Sequence, residues 1–217
     1  MLLRLNFLTI ALCLVACGGT DAPTCPVMGT NGSYASMNLT ACSMAGLNLS
    51  ASDFTMANLT GVDLSHANLQ DATFTSANLT NAKLDSATLT STDFTSANLS
   101  GVTFSGASIP SGHFAHANLA GASFHGATYL SSLDFTAATL TSVSFNGVVL
   151  DSPDFTGANL TSATFTGATL NAADFTGATL TSATFSTATI NTPTCSGTTG
   201  VNFTGATSII SGSDCGY

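Results

Sequence analysis

The sequence predicts an all-β solenoid, a coil of short strands in which each side takes five residues. The main observation is a rhythm: from Leu49 to Ile190 every fifth residue is Leu, Phe, Ile or Tyr, with one six-residue step between Tyr129 and Phe135. A small residue usually stands two places earlier, and the other places hold mostly Asp, Asn, Thr, Ser or Gly. A period of five fits neither an α-helix nor a flat strand. Two inward and three outward residues per unit instead describe one side of a coil that turns a corner every five residues.

The individual units read A-N-L-T-S, A-D-F-T-G and A-T-L-T-S. They resemble the A-(D/N)-L-x-x consensus of the pentapeptide-repeat family over roughly residues 37–192. The resemblance implies a right-handed quadrilateral β-helix, and at four units to a coil the repeats make about seven to eight coils. The handedness comes from the family alone, because both hands give the same period.

The implied square can be tested in the sequence, because residues twenty apart should then stack at the 4.8 Å spacing of paired strands. Three columns pass this test: two of Phe on opposite sides and one of Leu. They contain Phe54, Phe74, Phe94, Phe114, Phe135, Phe155 and Phe175; Phe104, Phe124, Phe145, Phe165 and Phe185; and Leu59, Leu79, Leu99, Leu119, Leu140, Leu160 and Leu180. The columns keep their phase across the six-residue step. We expect the extra residue to be absorbed between residues 129 and 133, with Tyr129 in the core.

Composition agrees with a narrow tube filled by stacked side chains. The chain has 217 residues, of which 44% are apolar and 6% charged. A membrane-spanning bundle would need apolar runs of about twenty residues, and none occurs beyond residue 17. The repeats therefore predict a single solenoid domain stabilised by contacts between neighbouring coils.

The N-terminus has the features of an export signal. Residues 1–16 combine Arg4 with a short apolar stretch. The last three of these residues and the next one, Leu14-Val15-Ala16-Cys17, resemble the lipobox of bacterial lipoproteins. The resemblance implies cleavage before Cys17, a lipid on Cys17, a tether over residues 17–34 and the β-helix over residues 35–217. Gly at position 18 favours the outer over the inner membrane. An ordinary secretory signal with a chance cysteine is the alternative.

Four further cysteines remain after export: Cys25, Cys42, Cys195 and Cys215. An even number in an oxidising compartment predicts disulfides. Three connectivities are open, and position favours one: Cys195 and Cys215 are one coil apart, within disulfide range, whereas Cys25 and Cys42 lie at the other end. We expect two disulfides that clamp the two ends, with free buried thiols as the alternative.

The charge of the chain is almost entirely acidic. All eleven acidic residues are Asp, and Lys83 is the only Lys or Arg beyond the signal, so nucleic acid is not an expected partner. Five of these residues share one side, directly before the Phe column: Asp53, Asp93, Asp134, Asp154 and Asp174, here called the acidic column. Repeat duplication explains such a column without a function. The alternatives are a protein-binding stripe, a Ca²⁺ site at the last three Asp residues, and imitation of the phosphate rows of DNA. Imitation of DNA would act on a DNA-binding enzyme such as gyrase, which an exported protein does not meet.

The adjoining side is uncharged and repeats a polar-x-polar pair. This Asn/Thr ladder contains Asn58, Asn78, Asn98, Asn118, Thr139, Asn159 and Thr179. Such arrays resemble the faces of ice-binding β-solenoids, so ice or another crystalline surface is the alternative ligand. Ordinary strand preference for Thr and stacked Asn accounts for the pattern equally well.

Catalysis and cofactors find little support in the sequence. The histidines are His66, His113, His116 and His125, and only His113 falls between acidic residues, where it could join a weak metal or acid–base cluster. We expect no catalytic residue, metal or cofactor. The sequence thus predicts a lipid-anchored, non-catalytic protein of the bacterial cell envelope that binds an envelope protein or acts as a spacer. The family resemblance also allows an end-to-end homodimer.

Overall fold

The computed structural model describes residues 25–200, 202–206 and 208–210. The chain forms the predicted right-handed quadrilateral β-helix. Each side of a coil pairs in parallel with the same side of the next coil, as Asn58 does with Asn78. On the acidic side, eight successive bridges connect Ser33 to Thr194. At strand spacing this gives a rod roughly 40 Å long.

One side of the rod contains regular strands in its C-terminal half. They are β1 (Leu130–Ser131), β2 (Val149–Asp151), β3 (Thr169–Asn171), β4 (Thr189–Asn191) and β5 (Ser208–Ile210). They form a parallel sheet in chain order, with a register of twenty residues up to β4 and nineteen from β4 to β5. The other three sides pair through single bridges. No helix long and apolar enough to cross a membrane occurs among the described residues.

The corners are tight turns with one residue in the left-handed region. In a typical corner the N–H of Ala57 donates to the carbonyl of Phe54 (2.9 Å), and Met56 between them has φ +58°. A positive φ at the third turn residue favours Gly and tolerates Asn. The chain nevertheless places Ser, Asp, His and Ala at many corners, so each such corner stores about 1 kcal/mol or more of backbone strain.

The core consists of the apolar centre of each unit and the small residue two places before it. The two Phe columns stack within themselves, for example Phe135 on Phe155 with ring centroids 5.2 Å apart and planes 6° apart. Across the tube they meet edge to face, as Phe155 and Phe165 do at 6.1 Å and 82°. Both geometries are favourable for aromatic pairs. All twelve Phe residues of the two columns have no exposed surface.

The β-helix begins slightly before the predicted boundary at residue 35. Tyr34 is buried and stacks on Phe54 with ring centroids 5.0 Å apart, and Ser33 pairs with Asp53. A tyrosine fits there because its hydroxyl leaves the open end of the tube and accepts the N–H of Gly29 at 2.8 Å. Ser33 and Tyr34 therefore belong to the first coil rather than to the segment that precedes it.

The prediction that Tyr129 lies in the core was wrong. Its side chain is 77% exposed, and Leu130 occupies the core position instead, paired with Leu150. Tyr129 itself is the extra residue: it bulges outward at φ +53°, between Thr128, which pairs with Ser108, and Leu130. Leu is the better core residue here because this column holds aliphatic side chains and has no partner for a phenol hydroxyl.

One inward position shows compensation between coils. Leu133 takes a place that usually holds Ala, and the equivalent place one coil earlier holds Gly112. A Cβ atom on Gly112 would lie 2.9 Å from Ile109, 3.0 Å from Phe114 and 3.4 Å from Leu133. The missing side chain of Gly112 therefore makes room for its neighbours in an otherwise regular tube.

Candidate interaction surfaces

The structure brings the predicted acidic column together on one side of the rod. Parallel bridges connect Asp53, Thr73, Asp93, His113, Asp134, Asp154 and Asp174 in that order. The carboxylates of Asp134, Asp154 and Asp174 thus follow one another on three consecutive coils. Every member of the column is half-buried, because its side chain stands on a flat ladder and leaves its outer part in solvent.

Each carboxylate of the column is fixed by its own coil. One oxygen accepts the backbone N–H of the Thr two residues later, at 2.8–2.9 Å from Thr55, Thr95, Thr136, Thr156 and Thr176. This is the local side-chain-to-backbone bond typical of Asp and Asn at turns. The D-x-T spacing was visible in the sequence, but its meaning was missed. The Asp residues therefore support the fold, and they also present charge in a fixed direction.

These hydrogen bonds influence ionisation. The side-chain and backbone groups of Thr55 hold the pKa of Asp53 below its usual value. For Asp93, burial raises the pKa, but hydrogen bonds from Thr95 and from the Thr75 hydroxyl (3.0 Å), with the charge of His113, outweigh it and lower the pKa overall. Both carboxylates are therefore ionised at neutral pH.

His113 lies between Asp93 and Asp134, as predicted, and its side chain is exposed. No group of three His, Cys, Asp or Glu side chains in the described part of the chain could hold a metal ion. Ca²⁺ requires six to eight oxygen ligands, and a straight ladder directs its carboxylates side by side. His66 and His116 lie at corners, and His125 contacts the Asn146 carbonyl at 3.1 Å.

The Asn/Thr ladder is an ordered, uncharged array. Within a coil the Thr60 hydroxyl donates to the Asn58 side-chain oxygen at 2.7 Å, and Thr80, Ser100 and Thr161 repeat this bond. Between coils the Asn118 amide donates to Asn98 at 3.3 Å. The polar groups therefore satisfy one another to a large extent, which supports the structural interpretation of the ladder.

The N-terminal end carries a disulfide between Cys25 and Cys42, whose Cα atoms are 5.6 Å apart. Cys42 is buried in a place that usually holds Ala. Cys195 is buried and also disulfide-bonded. Its predicted partner Cys215 lies outside the described residues, as does the predicted lipidation site Cys17.

Comparison with known proteins identifies the repeat. The model of the family described as pentapeptide repeats matches in overlapping segments at residues 38–71, 57–95, 72–109, 97–128, 128–167 and 153–191. Among curated protein sequences, none matches this chain.

One solved structure shows the same fold, and two others are similar at lower TM-scores. A trypsin-treated variant of QnrB1, a plasmid-mediated fluoroquinolone resistance protein, is 20% identical over 83% of this chain and 91% of its own, with a TM-score of 0.52. A pentapeptide-repeat protein from the Arabidopsis thaliana thylakoid lumen is 34% identical over 46% and 69%, with a TM-score of 0.45. HetL, involved in heterocyst differentiation regulation in the cyanobacterium Nostoc, is 22% identical over 83% and 87%, with a TM-score of 0.46.

Proposed function

Because the chain belongs to the pentapeptide-repeat family, we propose that it is a non-catalytic lipoprotein of the bacterial cell envelope whose rigid acidic β-helix binds a protein partner or spaces envelope components. The observation that carries the proposal is the acidic column. Its carboxylates are ordered before any partner arrives, because each one is already bonded to its own backbone. Binding would therefore cost little side-chain entropy at this surface.

The surface also indicates the chemistry of the partner. Asp134, Asp154 and Asp174 form an uninterrupted row of negative charge at strand spacing. A complementary protein would present Arg or Lys side chains in a similar row, for which charge complementarity contributes specificity and a faster association rate. Nucleic acid is disfavoured by the same charge.

The anchor is supported by the lipobox-like residues ending at Cys17. Its test is mass spectrometry of protein extracted from membranes of the native bacterium. The expected result is a chain that begins at Cys17 and carries diacylglycerol, with Cys17→Ser released into the soluble fraction. An unmodified Cys17 would remove the anchor from the proposal, and fractionation of inner and outer membranes would test the outer-membrane assignment.

The partner is tested by cross-linking in intact envelopes followed by affinity purification. We expect one envelope protein to be recovered with the wild-type chain and lost with the triple variant Asp134→Asn, Asp154→Asn, Asp174→Asn. Asn can accept the same N–H bond from the Thr two residues later, as Asn58 does from Thr60 at 3.2 Å. The variant therefore removes charge and keeps the turn.

A matched control removes the same charge elsewhere. Asp63, Asp85 and Asp151 lie off the acidic side, and each accepts a hydrogen bond that Asn can also accept. The triple variant of these residues should retain the partner. Equal loss in both variants would show that net charge alone matters, and a partner kept by both would remove the acidic column as the binding surface.

A further inference from the structure

Large apolar side chains are unevenly distributed over the surface of the rod. Five are well exposed among the described residues, and three of them lie at the N-terminal end, in the first two coils or just before them. These are Val27, Met37 and Met56, with exposed fractions of 79%, 41% and 65%. The other two, Tyr129 and Val149, lie in the middle of the rod on the side that carries the sheet.

Backbone hydrogen bonds place these three residues at the N-terminal end of the rod. Met37 follows the first corner after Tyr34, and its N–H donates to the Tyr34 carbonyl at 3.2 Å. The Met37 carbonyl accepts the N–H of Asn58 (2.8 Å), two residues after Met56, so Met56 lies at the same corner one coil further along. The Tyr34 hydroxyl donates to the Val27 carbonyl at 3.4 Å, which holds the backbone of Val27 at the open end of the tube.

This end of the rod also lacks charge. Residues 25–52 contain no Asp, Glu, Lys, Arg or His, and the acidic column begins only at Asp53. Residues 175–206 at the opposite end are equally uncharged, but none of their described side chains is a well-exposed large apolar one. The N-terminal end is therefore both neutral and apolar on its outside.

The chain leading to this end is short. Eight residue steps separate Cys17 from Cys25 and can span at most about 28 Å. The Cys25–Cys42 disulfide holds the end of that segment against the first coils. We propose that this end of the rod rests on a lipid surface, with Val27, Met37 and Met56 in the bilayer interface and the acidic column extending away from it along the rod. Interfacial binding of this kind combines a lipid chain with apolar side chains. The inference rests on the proposed anchor at Cys17.

The test uses the absence of Trp from the sequence. Met56→Trp supplies a single fluorophore at the proposed contact, and His116→Trp supplies its control at the same corner with nearly the same φ, +58° against +59°. The two positions are three coils apart, or about 14 Å. Val27→Trp is a second probe at the contact, outside the left-handed positions.

The mature chain beginning at Cys17 is coupled through that thiol to phosphatidylcholine vesicles containing a maleimide lipid, with or without acyl-brominated phosphatidylcholine. We expect Met56→Trp and Val27→Trp to shift their emission to the blue and to lose most of it in brominated vesicles, and His116→Trp to do neither. Equal quenching of Met56→Trp and His116→Trp would mean that the rod lies flat, and no quenching would mean that the end stays in water. Either result overturns the inference. Chemical coupling makes this outcome independent of whether cells lipidate Cys17.

Discussion

Deleting Tyr129 should leave the β-helix folded and at least as stable as the wild type. The structure places Tyr129 as a surplus residue between Thr128 and Leu130. Without it the sequence reads Gly-Ala-Thr-Leu-Ser-Ser, a regular unit with Ala127 and Leu130 facing inward. The five-residue rhythm would then run without interruption through the whole rod.

The expected magnitude follows from what the bulge contains. Removal of a non-Gly residue at φ +53° releases about 1–2 kcal/mol of backbone strain. The deletion also removes the bond from the Ser131 N–H to the Tyr129 carbonyl (3.0 Å), which is worth about 1 kcal/mol. The exposed ring contributes little. We therefore expect a gain in unfolding free energy of roughly 0–1 kcal/mol.

The matched control is deletion of Ser132, which restores the same spacing with different residues. After this deletion, either Tyr129 takes the core place of Leu130 or one corner is a residue too short. Burial of Tyr129 would expose Leu130, at about 1.5–3 kcal/mol, and leave a phenol hydroxyl without a partner, at about 1–3 kcal/mol. We expect a loss of about 2.5–6 kcal/mol from these two effects together.

The assay is equilibrium unfolding in guanidinium chloride, followed by far-UV circular dichroism at constant pH with the disulfides intact. Tyr129→Gly at full length tests the strain separately and should raise the midpoint. The reasoning fails if deletion of Tyr129 costs more than about 1 kcal/mol, or if deletion of Ser132 is tolerated equally well.

Three further predictions use the same measurement. Phe155→Ala should cost about 3–5 kcal/mol, because the ring is fully buried between stacked and edge-on neighbours, whereas Phe155→Leu should cost less because it keeps apolar volume; equal losses would contradict the contribution of apolar volume at this place. Gly157→Ala should cost about 1 kcal/mol of unfolding free energy because Gly157 has φ +66°, and a clash does not contribute because no atom lies within 4 Å of the new Cβ. Ser162→Gly, at φ +59°, should instead raise the unfolding free energy. Because its folded pKa is lowered, Asp93 stabilises the fold above its unfolded pKa, and that contribution is lost as pH falls through the folded pKa, so wild type should lose stability as pH falls below 3.8. Asp93→Asn should lose less over that range, and an identical pH profile would refute the assignment.

The sequence was sufficient for the architecture because the period constrains every side chain at once. The columns of Phe and Leu, and the alignment of Asp134 with Asp154 and Asp174, follow from a register of twenty residues. The placement of Tyr129 could not be obtained in this way. Tyr and Leu both satisfy a pattern of large apolar residues, and only the shape and polarity of the aliphatic column decide between them.

Other details depend on contacts between coils or on polar geometry. The absence of a side chain at Gly112 is explained only by the closeness of Leu133 and Ile109, which belong to other units of the repeat. The turn bonds of the acidic column show a different limit: each of its five Asp residues begins a D-x-T pattern, but that pattern alone does not tell a turn-forming carboxylate from one that only carries surface charge. The two explanations of the column are compatible, since one carboxylate oxygen bonds to the turn while the side chain keeps its charge.

The tight corners have a consequence for the lifetime of the protein. Proteases cleave exposed, flexible loops and chain ends, and the repeat region in the structure changes direction only through short turns whose backbones are bonded to the next coil. Degradation would therefore have to start from a chain end. At the N-terminal end, the Cys25–Cys42 disulfide fastens the chain to the first coils. A molecule cleaved before Cys25 would therefore keep its fold and lose only the segment that carries the proposed anchor at Cys17.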